Sequence, residues 1–222
     1  MASERKIFTA LGLAILAVVF EAAPARAGVI YSDFGAGNAY ASGGYGIAGS
    51  NSLLCLSGGC AFVTRGFAFT PSDTEQLVQI DAALLLVQGT NSVQLTLNAG
   101  NSGLPGAVLA TWVISSLPLD ISPSNCCTVQ TVTPTSTIIL NAGSQYWIVA
   151  SAIASSNTED VWAENSTGAT GLVASNNGPG YSLTSGAPMA AFDVIGAPEP
   201  GTLALGIGAL ALLVSFRRRA RV

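Results

Sequence analysis

Glu159, Asp160 and Glu164, with Trp162 and Asn165 between and beside them, are the densest acidic group in the 222-residue chain. Two carboxylates flanking a sugar can hydrolyse a glycoside, one as acid and the other as base or nucleophile. Acids beside an aromatic ring also suit calcium or sugar contact, because hard cations collect several oxygens. The Asp-x-Asp-x-Asp-Gly pattern of a calcium loop is missing, and grouped acids are ordinarily a solvated stretch. The expectation is therefore a solvated loop between strands. Glu159, Asp160, Trp162 and Glu164 are the residues that would meet a ligand or calcium there.

Composition removes most other chemistries. The chain has no histidine, which excludes Ser-His-Asp and Cys-His catalysis and the commonest zinc ligand. Lys6 is the sole lysine and lies near the N-terminus. No Gly-x-Ser-x-Gly, phosphate-binding or dinucleotide-binding pattern occurs. No catalytic residue, cofactor or metal centre is assigned, and the chain is not expected to be an enzyme.

The overall charge of −4 hides a strong asymmetry. Between Gly28 and Pro200 one base, Arg65, stands against ten acids, a net charge of −9. Such a surface repels phosphate backbones, so nucleic acid is excluded as a partner. Arg65 interrupts a strand-like run and is expected to pair with an acid on a sheet face. The four cysteines are Cys55, Cys60, Cys126 and Cys127. Three pairings are possible: the close pair Cys55–Cys60 with adjacent Cys126 and Cys127 left over, or two arrangements crossing between the loops.

The elements that must position these groups read as strands. Short apolar runs recur at Ala61–Thr70, Leu77–Gln88, Ser92–Asn98, Ala107–Ile114, Val129–Thr133, Thr137–Leu140, Tyr146–Ile153 and Ala190–Ile195. Turn-forming clusters separate them, as at Gln88-Gly-Thr-Asn91, Asn98-Ala-Gly-Asn-Ser-Gly103, Asn141-Ala-Gly143 and Asn176-Asn-Gly-Pro-Gly180. Many short strands without helical periodicity predict an all-β fold, an antiparallel sandwich or jelly roll. The glycine-rich stretch Gly35–Gly59 has few packing residues and reads as a loose loop.

Both ends have a different character. Arg5 and Lys6, the mostly apolar Ile7–Phe20 and the small-x-small triplet Ala25-Arg26-Ala27 make a secretory signal peptide over residues 1–27, cleaved after Ala27. At the other end Pro198-Glu199-Pro200 precedes an apolar run, Gly201–Phe216, and then Arg217, Arg218, Arg219 and Arg221. As a helix that run rises about 24 Å, short for a bilayer core of about 30 Å. The arginines should stay on the cytoplasmic side, leaving everything before Pro198 outside.

This ordered triplet, apolar run and basic stop resemble the PEP-CTERM sorting signal of Gram-negative envelope and matrix proteins. The resemblance implies export, insertion in the inner membrane, processing by exosortase near the triplet, and release to the surface or to exopolysaccharide. A second resemblance lies in Asn101, Gly103, Pro105 and Gly106, followed later by Tyr146 and Trp147. Together they are similar to the choice-of-anchor R domain, a secreted β-sandwich. The implied organisation is a signal peptide (1–27), a glycine-rich segment (28–60), a sandwich (61–196) and a sorting segment (197–222) with its span at 201–216 and basic tail at 217–221. The functional expectation is a noncatalytic surface or matrix protein. A carbohydrate-binding module is the second reading, with Trp112, Trp147 and Trp162 as the rings to inspect.

Overall fold

The computed structural model describes residues 27–119, 128–153 and 155–198. The chain runs through Gly28–Ser32 (β1), Tyr40–Ala48 (β2), a short helix Leu53–Gly58 (α1), Thr64–Phe69 (β3), Glu75–Gln88 (β4), Val93–Asn101 (β5) and Leu104–Ile114 (β6). It continues through Thr128–Val132 (β7), Ile139–Leu140 (β8), Tyr146–Ala152 (β9), Glu159–Asn165 (β10), Thr170–Asn176 (β11), Tyr181–Pro188 (β12) and Phe192–Ala197 (β13). All eight apolar runs thus contain a strand, because each supplies side chains to a sheet face at alternate positions.

The strands form two antiparallel sheets. One has the order β12-β11-β3-β9-β5-β6; the other follows β1-β13-β4-β10-β2, with β7 and β8 also paired to β4. Among the described residues the parallel pairing is the isolated bridge Leu86–Leu119. β4 is the spine of the second sheet. Its residues Gln76–Ala82 pair with β13, Leu84–Gln88 with β10, and Ile80–Leu84 with β7. A strand has two edges, so β7 and β13, which overlap at Ile80–Ala82, flank β4 on opposite sides.

One core joins the sheets. Phe67 on β3, Leu95 on β5 and Ile148 on β9 pack with Ile80 and Leu84 on β4, Trp162 on β10 and Phe192 on β13. Ala83 and Leu85 point the other way, into a second cluster with Phe34, Ala163 and Ala191. β4 is therefore covered on both faces, and this is why Ala82–Leu86 is apolar without alternation.

Gly35–Gly59 is not a loose loop. It contains β2, the partner of β10, and α1. The glycines serve close approach: a Cβ on Gly44 would stand 2.4 Å from Val161 Cγ1 and 2.7 Å from the Trp162 carbonyl. At the β5–β6 hairpin, Ser102 and Gly103 both take positive φ (51° and 81°) and join Asn101 to its partner Leu104. Two positive φ values make the turn type whose twist matches a hairpin.

α1 is held by local chemistry. The Ser52 hydroxyl accepts from Cys55 N (3.1 Å) at its start, and Gly59 N donates to Cys55 O (2.8 Å) at its end. A Cys55–Cys60 disulfide, with Cα atoms 4.6 Å apart, closes the same turn. Cys126 and Cys127 lie outside the described residues. Replacing Cys55 and Cys60 together by serine is expected to cost about 2 kcal/mol, from the closure entropy of so small a loop. Urea unfolding checks this; an unchanged midpoint would show that α1 opens at no cost to the sheets.

Candidate functional site

Glu159, Asp160, Trp162 and Glu164 lie on β10, a strand and not a solvated loop. Alternation along the strand separates them. The Glu159 carboxylate accepts from Gln88 Nε2 (2.7 Å) on β4. Asp160 shares the core-facing side with Trp162, opposite Ile47 on β2 and Leu86 on β4. It is fully buried, and neither carboxylate oxygen has a hydrogen-bond partner. Burial alone pushes its pKa up from 3.8 to about 7. Trp162 is also fully buried, its indole N–H bonded to the Ala191 carbonyl (2.9 Å). Glu164 is half-buried beside Gly43 and close enough to Tyr45 to help raise the phenol's pKa, after burial. These residues do not converge on one exposed pocket.

The tryptophans give no stacking platform. Trp147 is fully buried in a cluster with Val149 and Ala174. Trp112 is half-buried, and its N–H donates to the Thr133 carbonyl (2.7 Å). A hollow of about 420 Å³ lies between Leu109, Ile138 and Tyr146, and none of its lining residues is charged.

Arg65 does not take an acid as partner among the described residues. Its Nε donates to the Gly46 carbonyl (3.2 Å), and its guanidinium also bonds the Ser175 hydroxyl on β11. Burial lowers its pKa. The lone base of the domain thus ties β2 to the opposite sheet and neutralises no carboxylate.

The acids that do meet lie elsewhere, and sequence reading missed them. Ser32 on β1 pairs with Asp193 on β13, Asp193 with Asp81 on β4, and Asp81 with Thr131 on β7. Directly paired residues project from the same face of a sheet, so the four form a row across four strands. Both aspartates are only 7 % exposed. The Asp81 carboxylate is held by Gln79 Nε2 (2.9 and 2.8 Å to its two oxygens) and by the Thr131 hydroxyl (2.6 Å). Ser32 bonds the Asp193 carboxylate, but Asp193 Oδ1 is buried without a partner. Burial first, and then the charge of Asp81, raises the Asp193 pKa. Asp33 is nearby yet engaged, accepting from Phe192 N (2.9 Å) and the Tyr31 hydroxyl (3.1 Å). The sequence signal was an acid at the middle of two apolar runs, Leu77–Gln88 and Ala190–Ile195.

Among the described residues no group of three or more Cys, Asp or Glu is arranged to hold a metal, and no helix is long and apolar enough to cross a membrane. Ala27 and Pro198 are the ends of the compact unit. Ala25, Glu199, Pro200, the run 201–216 and Arg217, Arg218, Arg219 and Arg221 lie outside the described residues. No protein-family profile, characterised protein or solved structure matches the chain.

Proposed function

We propose that this chain is an exported β-sandwich protein without catalytic role, delivered to the cell surface or extracellular matrix. Its address is the C-terminal segment: Pro198-Glu199-Pro200 as the sorting motif, 201–216 as a transient inner-membrane span, and Arg217–Arg219 with Arg221 as the cytoplasmic stop. Exosortase and the secretion machinery are its processing partners, and exopolysaccharide is the matrix it joins.

The observation that carries this reading is the order and spacing of the three tail parts. Independent support comes from the fold's limits. The compact unit runs from Ala27 to Pro198, within one residue of the signal-peptide cut and of the start of the sorting motif read from sequence alone. Its first strand residue, Gly28, pairs with Gly196, so processing at either end leaves the sheets whole. A sandwich related to the choice-of-anchor module suits this role, since the turn at Asn101–Gly106 and the Tyr146–Trp147 pair serve packing. Tyr146 takes a hydrogen bond from Asn141 N (3.0 Å) on the core side, and Trp147 fills the opposite face.

In the native host, mass spectrometry of the wild-type product should find an N-terminus at Gly28 and no residues beyond the 197–201 region. Changing Pro198, Glu199 and Pro200 together to alanine should leave the tail attached and the protein in the membrane fraction. An intact, unprocessed wild-type chain in the cytosol defeats the proposal.

A further inference from the structure

We propose that the row Ser32–Asp193–Asp81–Thr131 is a binding site for a single hard divalent cation, calcium being the ion it suits, seated between Asp193 and Asp81. The inference is independent of the sorting signal and rests on the register of four strands.

Like charges directly opposite each other on adjacent strands repel. Here the pair is almost wholly removed from water, where neither solvent nor salt screens the repulsion well. A protein ordinarily relieves such a pair with a basic side chain. Between Gly28 and Pro200 the only base is Arg65, and it is committed to Gly46 and Ser175. Among the described residues no side chain supplies the neutralising charge, which leaves a proton or an ion to do so.

The row offers oxygens and an unsatisfied acceptor to an ion. Gln79 and Thr131 hold the Asp81 carboxylate in place, as neighbouring donors orient the ligands of a metal. Asp193 Oδ1, buried and unpartnered, is the oxygen left with nothing to bind. Every donor in the row is oxygen, the preference of calcium and magnesium over softer metals. Two carboxylates supply two to four of the six to eight oxygens calcium takes, and the Ser32 hydroxyl together with water entering at the exposed Ser32 and Thr131 ends of the row supplies the rest. Calcium's tolerance of irregular geometry suits ligands placed on strands rather than in a dedicated loop.

The test is calorimetric titration and thermal melting of the full chain, stripped with EDTA and then given calcium chloride to about 10 mM, above the 10⁻⁴–10⁻³ M range of extracellular modules. Expected are one bound ion and a Tm rise of about 5 °C. Asp193→Asn relieves the repulsion and should melt at or above the wild-type temperature in EDTA, while losing the calcium response. Asp73→Asn, at an exposed acid, should keep it. A wild-type chain that neither binds calcium nor shifts its Tm overturns the proposal. A response that survives Asp193→Asn overturns it as well.

Discussion

Replacing Trp162 by alanine is expected to destabilise the protein by about 3–5 kcal/mol, the range for removing a large buried aromatic. Trp162 is fully buried, with its ring edge-on to Phe67 (centroids 4.9 Å apart) and Phe192 (5.9 Å). The loss joins three effects: apolar area returned to water, a cavity between the two sheets, and two broken aromatic contacts. The Ala191 carbonyl also loses the indole N–H, at the junction where β13 and β10 meet along β4. Against a typical domain stability of about 5–15 kcal/mol, such a change removes a large share of what holds the fold. Trp162→Phe keeps an aromatic ring and should cost less than half as much. The comparison also separates two roles for this residue. A sugar-stacking ring would leave the urea midpoint nearly unchanged when truncated and abolish binding. A midpoint shift worth less than about 1 kcal/mol would remove Trp162 from the core.

The fold was largely legible where burial is one-sided or complete. Leu77–Gln88 reads as a strand from its apolar content, and β4 occupies Glu75–Gln88. β2 was hidden because its glycines look like a loop, yet Gly44 is small because Val161 and Trp162 of β10 crowd it. That crowding is a tertiary fact with no local sign. β11 and β12 were missed for another reason. β12 is an edge strand, almost entirely exposed, and it needs no apolar residues to mark it. β10 was misread because acids usually mean solvent, whereas Asp160 faces the core and Glu159 bonds across to β4.

The same distinction governs the candidate sites. Glu159, Asp160 and Glu164 are close in sequence but part company across the faces and neighbours of their strand. Asp81 and Asp193 are far apart in sequence and meet only through the pairing of β4 with β13. Proximity along a strand scatters side chains; register gathers them. Arg65 teaches the same lesson, since its partners are a carbonyl on β2 and a hydroxyl on β11, neither of which its own segment announces. The tail differs in kind, because a sorting signal is read by another protein as a linear order of parts and is legible without a fold.

Replacing Asp160 by asparagine is expected to stabilise the protein in a strongly pH-dependent way. The Asp160 carboxyl is fully buried, and burial is the only cause of its raised pKa, with no charged group contributing from β2, β4 or β10. A carboxyl whose pKa is higher in the folded state than in the unfolded one holds its proton more tightly when folded. Its folded form is therefore favoured in acid, and stability falls as pH rises through the interval between the two values. For Asp160 that interval runs from 3.8 to about 7, a loss of about 4 kcal/mol at 1.36 kcal/mol per pH unit. Asparagine does not titrate. In EDTA, so that no cation bound at the Asp81–Asp193 row contributes, the difference between the two urea midpoints should change in the variant's favour from about pH 4 up to about pH 7. Asparagine's own unpartnered amide adds an offset that is the same at every pH. Asp160→Leu, set between Ile47 and Leu86, removes that offset too and should exceed both at neutral pH. A gap that stays constant from pH 4 to 8 would show that Asp160 carries its charge in the folded state, hydrated or paired, and does not stand bare against the core.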